Sequence, residues 1–160
     1  RESKAAASRQ TNPYENFMTN NFLVPASLFN QLQFDESLQG YGHEDTWFGL
    51  GLKELNFPIL HIENPVLNGE LDSADQFLNH TKEALTNLDV LVKKEEQKEK
   101  LEAIKAIQVL RSMAPFLPIV KGMLTVLKPW WSRNLKGSCP SLKAFDAYRL
   151  YWAIKIIGKI

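Results

Sequence analysis

The stretch Gly40-Tyr41-Gly42-His43-Glu44-Asp45-Thr46-Trp47-Phe48-Gly49 holds the side chains best suited to chemistry. Two carboxylates stand side by side behind a glycine-framed turn. Phe48, Leu52 and Leu55 then recur at helical spacing, which puts Glu44 and Asp45 on the first turn of a helix or just before it. There the unpaired backbone N–H groups and the helix dipole favour negative charge. A carboxylate kept ionised in this way can take a proton as a general base. The plainer reading is helix capping alone, because Asp and Glu are common helix starters. Gly40 and Gly42 permit backbone angles barred to other residues and let a ligand come close to the main chain. His43 either binds a ligand or orients the loop through a hydrogen bond.

The elements around this turn follow from pattern. Residues 1–12 are polar, small and aperiodic, and read as a loop. Residues 16–24 alternate imperfectly and read as a short strand entering a turn. Pro25, Leu28, Phe29 and Leu32 suggest a short helix. The helix from Glu44 is expected to end at Asn56, a residue that tolerates the left-handed cap conformation. Residues 57–62 read as a strand carrying His61, with Pro58 near its start. Ser73 and Gln76 fit a capping box, and Leu78, Leu85, Leu88 and Leu91 recur behind them, so a long helix spans 73–93. Residues 93–100 form a mixed charge run in which Glu96 and Lys100 stand four apart. Helix resumes over 102–113 until Pro115 and Pro118 interrupt it. The apolar stretch 116–131 is too short and too broken by proline for a membrane span. A last helix, 143–160, mixes aromatic and basic residues. It suits packing against the preceding helices or contact with an acidic membrane surface.

Several ordered blocks carry a resemblance. Phe17-Met18-Thr19-Asn20-Asn21-Phe22, Phe34-Asp35-Glu36, Gly40-Tyr41-Gly42-His43-Glu44-Asp45 and Phe48-Gly49 with Leu52 together resemble the acceptor-side half of the inverting family 2 glycosyltransferases. The likeness is nearest to bacterial members that build surface polysaccharide, and it covers roughly residues 13–91. It implies an α+β fragment, mostly helical: the C-terminal part of a GT-A nucleotide-diphospho-sugar transferase fold over 1–70, then a helical C-terminal region over 71–160.

The resemblance also implies roles. Asp45 would take the proton of the acceptor hydroxyl, and Glu44 would bind an acceptor hydroxyl or support the loop. Tyr41, Gly42, His43, Asn21 and Trp47 would contact substrate; Tyr41 offers a flat face to a sugar ring but equally suits packing, and Asn21 equally suits turn chemistry. A divalent cation, Mn²⁺ or Mg²⁺, would accompany the donor diphosphate, with most of its ligands upstream of this chain. Asn68 stands where many relatives carry a metal-binding His; it can offer a carbonyl oxygen to a hard cation but is a weaker ligand. The partners implied are a nucleotide-sugar donor and a saccharide or lipid-linked acceptor.

Composition sets the remaining bounds. One hundred and sixty residues with 44% hydrophobic and 23% charged residues suit a globular chain. A net charge of +1 argues against a nucleic-acid binder. The single cysteine, Cys139, excludes an intrachain disulfide and fits a reducing cytoplasmic setting, peripheral to the inner face of the membrane if the acceptor is lipid-linked. The sequence lacks an initial Met and a signal-peptide pattern and reads as a fragment, with oligomerisation left open. The competing reading is a non-catalytic helical interaction or membrane-docking module of a degenerate glycosyltransferase.

Overall fold

Helix boundaries follow the capping chemistry closely. In the computed structural model, which describes residues 4–66, 69, 71–94 and 98–158, helix α3 spans Glu44–Glu54. It closes in a Schellman motif: Phe57 N–H donates to Leu52 O at 2.9 Å, and Asn56 N–H to Lys53 O at 3.0 Å. Asn56 takes the left-handed conformation at φ 52°, and Phe57 packs with Leu52 in the same apolar cluster. Helix α4, Ala74–Val92, opens on a complete capping box. Gln76 N–H donates to Ser73 Oγ, and Ser73 N–H to Gln76 Oε1.

The other helices are α1 (Ala6–Gln10), α2 (Ala26–Phe29), α5 (Lys98–Glu102), α6 (Lys105–Ser112), α7 (Leu117–Val126), α8 (Lys128–Leu135) and α9 (Leu142–Ile157), with a 3₁₀ turn over Ala114–Phe116. Proline sets the breaks between α6, α7 and α8. Pro115, Pro118 and Pro129 lack an N–H and sit at the starts of helical turns, where none is needed.

The expectation of an α+β GT-A fragment is overturned, because no strand occurs among the described residues. Residues 57–62 form no strand. Side chains of α1 take their backbone groups instead. Gln10 Nε2 donates to Ile59 O at 2.9 Å, and Gln10 Oε1 accepts from His61 N–H at 2.8 Å. Arg9 Nη2 donates to Ile62 O at 3.0 Å. Residues 16–24 form turns and irregular backbone rather than a strand. The expected loop at the start of the chain contains α1.

Contacts divide the chain into two compact units, Arg1–Leu38 with His43–Leu71, and Gln39–Gly42 with Asp72–Ile160. The first unit is organised on Phe48, which is 2% exposed. Its ring meets those of Phe34, Phe17, Phe29 and Phe22 at centroid distances of 4.7, 5.5, 6.1 and 6.3 Å. Helix α3 passes so close to the chain at Tyr14 that a Cβ on Gly49 would lie 2.3 Å from the Tyr14 carbonyl oxygen.

In the second unit α9 packs against α4, α7 and α8. Tyr148 lies at the centre. Its hydroxyl donates to Leu78 O at 2.7 Å, and its ring meets Trp131 edge-on at 5.5 Å. Burial pushes the Tyr148 phenol up to about 12. Leu88, Leu91 and Ile107 are fully buried around this core. No single helix among the described residues is long and apolar enough to cross a membrane. Only the pair Lys105–Ser112 and Ala114–Val126, bent by 63°, has the length and composition. Ile107 and Leu110 of α6 are buried within the fold.

Two predictions follow from these packing sites. Gly49→Ala gains about 1 kcal/mol of helix propensity at most, but the clash with a backbone oxygen costs more. The net expectation is a loss of roughly 1–3 kcal/mol in a urea melt. Tyr148 titrates near 10 when unfolded and near 12 when folded, so the unfolded state loses its proton first. The contribution of Tyr148 is therefore complete below pH 10 and falls as pH rises from 10 to 12, by about 1.4 kcal/mol per pH unit. Thermal melts across pH 9–12 should show a steeper decline for the wild type than for Tyr148→Phe.

Candidate functional site

The turn before α3 is built from left-handed backbone. Gly40 (φ 70°), Gly42 (φ 99°) and His43 (φ 72°) give three positive φ angles in four residues. Glycine takes this conformation freely, whereas a non-glycine residue such as His43 holds it at a cost of order 1–3 kcal/mol. Such angles persist only where the surroundings over-determine them.

Helix α4 supplies that constraint for residues 39–42. Asn87, 3% exposed, uses both ends of its amide. Its Oδ1 accepts from Gln39 N–H at 3.1 Å, and its Nδ2 donates to Gly42 O at 2.9 Å and to Tyr41 O at 3.4 Å. Glu83 Oε2 accepts from Tyr41 N–H at 3.1 Å. The Tyr41 ring stacks on His80 at 4.6 Å and 12°, and His80 Nδ1 pairs with Asp72 Oδ2 at 2.9 Å. Gly42 lies against α4 so tightly that a Cβ there would fall 2.6 Å from Ala84 Cβ. Tyr41 keeps 53% of its surface exposed, so the turn presents an aromatic face on a braced backbone.

His43 is the N-cap of α3 and makes no side-chain cap bond. Its carbonyl accepts from Trp47 N–H at 2.8 Å. Glu44 and Asp45 fall in the first turn of α3, as the spacing predicts. Their environments differ. Asp45 is half-buried, and its Oδ1 accepts from Thr46 N–H at 2.6 Å and from the Thr46 hydroxyl at 3.2 Å. Glu44 turns inward. Its Oε2 is shut from solvent with no hydrogen-bond partner among the described residues.

Trp47 is buried at 6% exposure. Asn21 is exposed and donates from Nδ2 to Asn64 O at 2.9 Å, which closes a loop. His61 lies between α1 and the loop after it: Nδ1 faces Arg9 Nε at 3.4 Å and Nε2 faces Pro13 O at 3.0 Å. The Arg9 donor and the Pro13 acceptor together select the neutral tautomer protonated on Nε2. Asn68 lies outside the described residues. Among the described residues no three His, Cys, Asp or Glu side chains converge to hold a metal ion.

Sequence reasoning missed His80, Glu83 and Asn87. The signal was present, because positions 80, 83 and 87 repeat at three and four residues and so share one face of α4. The chain matches no protein-family model, no curated protein and no solved structure in comparison with known proteins.

Asn87→Ala would remove the hydrogen bonds that hold Gln39 N–H, Tyr41 O and Gly42 O. The expected loss is about 2–3 kcal/mol of stability, with faster hydrogen exchange at the amides of Gln39 and Tyr41 measured by NMR.

Proposed function

We propose that this chain supplies the acceptor side of a glycosyl transfer, in which a sugar moves from a nucleoside-diphosphate donor to a saccharide or lipid-linked acceptor with inversion. The GT-A fold forms no part of this reading. It rests on the site, since function is carried by local geometry rather than by fold class. The observation that carries it is Asp45: a half-buried carboxylate in the first turn of α3, directly after a turn held in left-handed backbone. One of the ordered blocks that resemble family 2 transferases, Gly40 to Asp45, ends on the same residue.

In the proposed reaction the acceptor oxygen bonds to the anomeric carbon from the face opposite the diphosphate. The bond from that carbon to the diphosphate oxygen breaks, and the nucleoside diphosphate leaves with the electron pair. Asp45 takes the acceptor proton, which requires approach to about 2.6–3.2 Å. The Thr46 N–H and hydroxyl fix one carboxylate oxygen. Glu44, turned inward, supports the start of α3. A divalent cation would offset charge on the leaving diphosphate. The described residues do not build its site, so no step here depends on it.

Asp45→Asn keeps size and polarity but removes the basic oxygen. In the protein that carries this chain, release of nucleoside diphosphate in the presence of acceptor should fall by roughly 10²–10⁴-fold, with the thermal melt unchanged. Transfer at the wild-type rate would remove Asp45 as the base.

A further inference from the structure

Helices α7 and α8 carry two apolar faces. One face, Leu117, Leu124 and Trp131, repeats every seven residues and is buried. The other, Phe116, Ile119, Met123, Val126, Leu127 and Trp130, follows the three-and-four spacing of a helical stripe and stays between 44% and 79% exposed. Single exposed apolar residues are ordinary, but a continuous stripe of six marks an interaction surface.

The charges along this segment of the chain are of one sign. Residues 103–145 contain seven Lys and Arg and no Asp or Glu. Lys121, Lys128 and Arg133 lie on α7 and α8 themselves and are exposed. Beyond Glu102 the whole chain has ten Lys and Arg against one acidic residue, Asp146. Some of this charge is engaged within the fold. Lys136 pairs with Asp75 at 2.6 Å, Arg111 with Glu102 at 3.1 Å, and Lys128 Nζ lies 5.8 Å from the Tyr151 ring.

We infer that the α7–α8 face docks on the surface of an anionic lipid bilayer. The apolar stripe would enter the boundary between headgroups and acyl chains. The lysine and arginine heads would remain at headgroup level, where their long stems let them reach lipid phosphates. Trp130 stands at the end of the stripe, and indole rings favour that boundary. Helix α9, equally aromatic and basic in sequence, is not this surface, because Tyr148, Tyr151, Ile154 and Ile157 are buried. A face this apolar, with exposed Lys121, Lys128 and Arg133 on its own helices, suits a bilayer of anionic lipid. The inference goes beyond the transferase reading and uses none of its residues, so either stands if the other fails.

The test is co-sedimentation of the chain with vesicles of phosphatidylcholine alone and of phosphatidylcholine mixed with phosphatidylglycerol, with self-association followed by light scattering. The folded wild type should pellet with the anionic vesicles, weakly with the neutral ones, and less as salt is raised. Ile119→Glu with Val126→Glu should abolish pelleting. Lys121→Glu with Lys128→Glu should weaken it by about fivefold or more for each lysine removed. Both pairs are exposed, so circular dichroism should show retained helix; if the apolar pair fails to fold, the lysine pair decides. Absence of binding by the folded wild type overturns the inference, as does binding that neither pair alters. A dimer that the apolar pair dissolves, without vesicle binding, also overturns it and assigns the face to a second copy of the chain.

Discussion

One buried amide constrains the region on which the functional reading depends. Asn87 reaches three backbone groups of the 39–42 turn from a position almost closed to water. A buried Asn without partners would be costly, and so would the turn carbonyls and N–H without Asn87. Each side therefore holds the other in place. Glu83 and the Tyr41–His80 stack add two more attachments to the same four residues. The chain then enters α3 through His43, a non-glycine residue in left-handed backbone. Glu44 and Asp45 follow directly, so their position along the chain is set by a turn that has little freedom to relax.

The elements legible in the sequence are those fixed by local chemistry. Ser73 and Gln76 announce α4 because each satisfies a backbone donor of the other. Asn56 marks the end of α3 because it accepts the left-handed angle that a Schellman motif requires. The misread elements are those fixed by partners far along the chain. Residues 57–62 have the composition of a strand, yet a strand is defined by what pairs with it. Here the pairing is done by Gln10 and Arg9. Two side chains on a five-residue helix replace a neighbouring strand, and no pattern within 57–62 reveals that.

The candidate site divides in the same way. Gly40, Gly42 and the two carboxylates are readable because their roles are local. Trp47 is not, because burial depends on packing that spacing alone leaves open. The face formed by His80, Glu83 and Asn87 is an intermediate case. Its helical repeat is visible beside the leucine repeat of α4, but its use becomes evident only once the glycine turn lies against it. Polar residues at core-like spacing are thus worth pairing with glycine turns elsewhere in a chain.

Net charge misleads for a related reason. A total of +1 suggests a chain indifferent to charged surfaces, yet the acidic residues stop almost entirely at Glu102 while the basic ones continue. Electrostatic attraction to a surface acts over about 8–10 Å at physiological salt, so it responds to the local sum over a face and not to the total over the chain. The same holds for hydropathy. The stretch around α7 is too short for a span, but α7 and α8 have apolar residues on both sides, and the fold buries only one of them. Proline at 115, 118 and 129 shortens these helices and keeps them from forming a continuous rod that could insert across a bilayer. What remains is a short, bent, cationic and apolar surface.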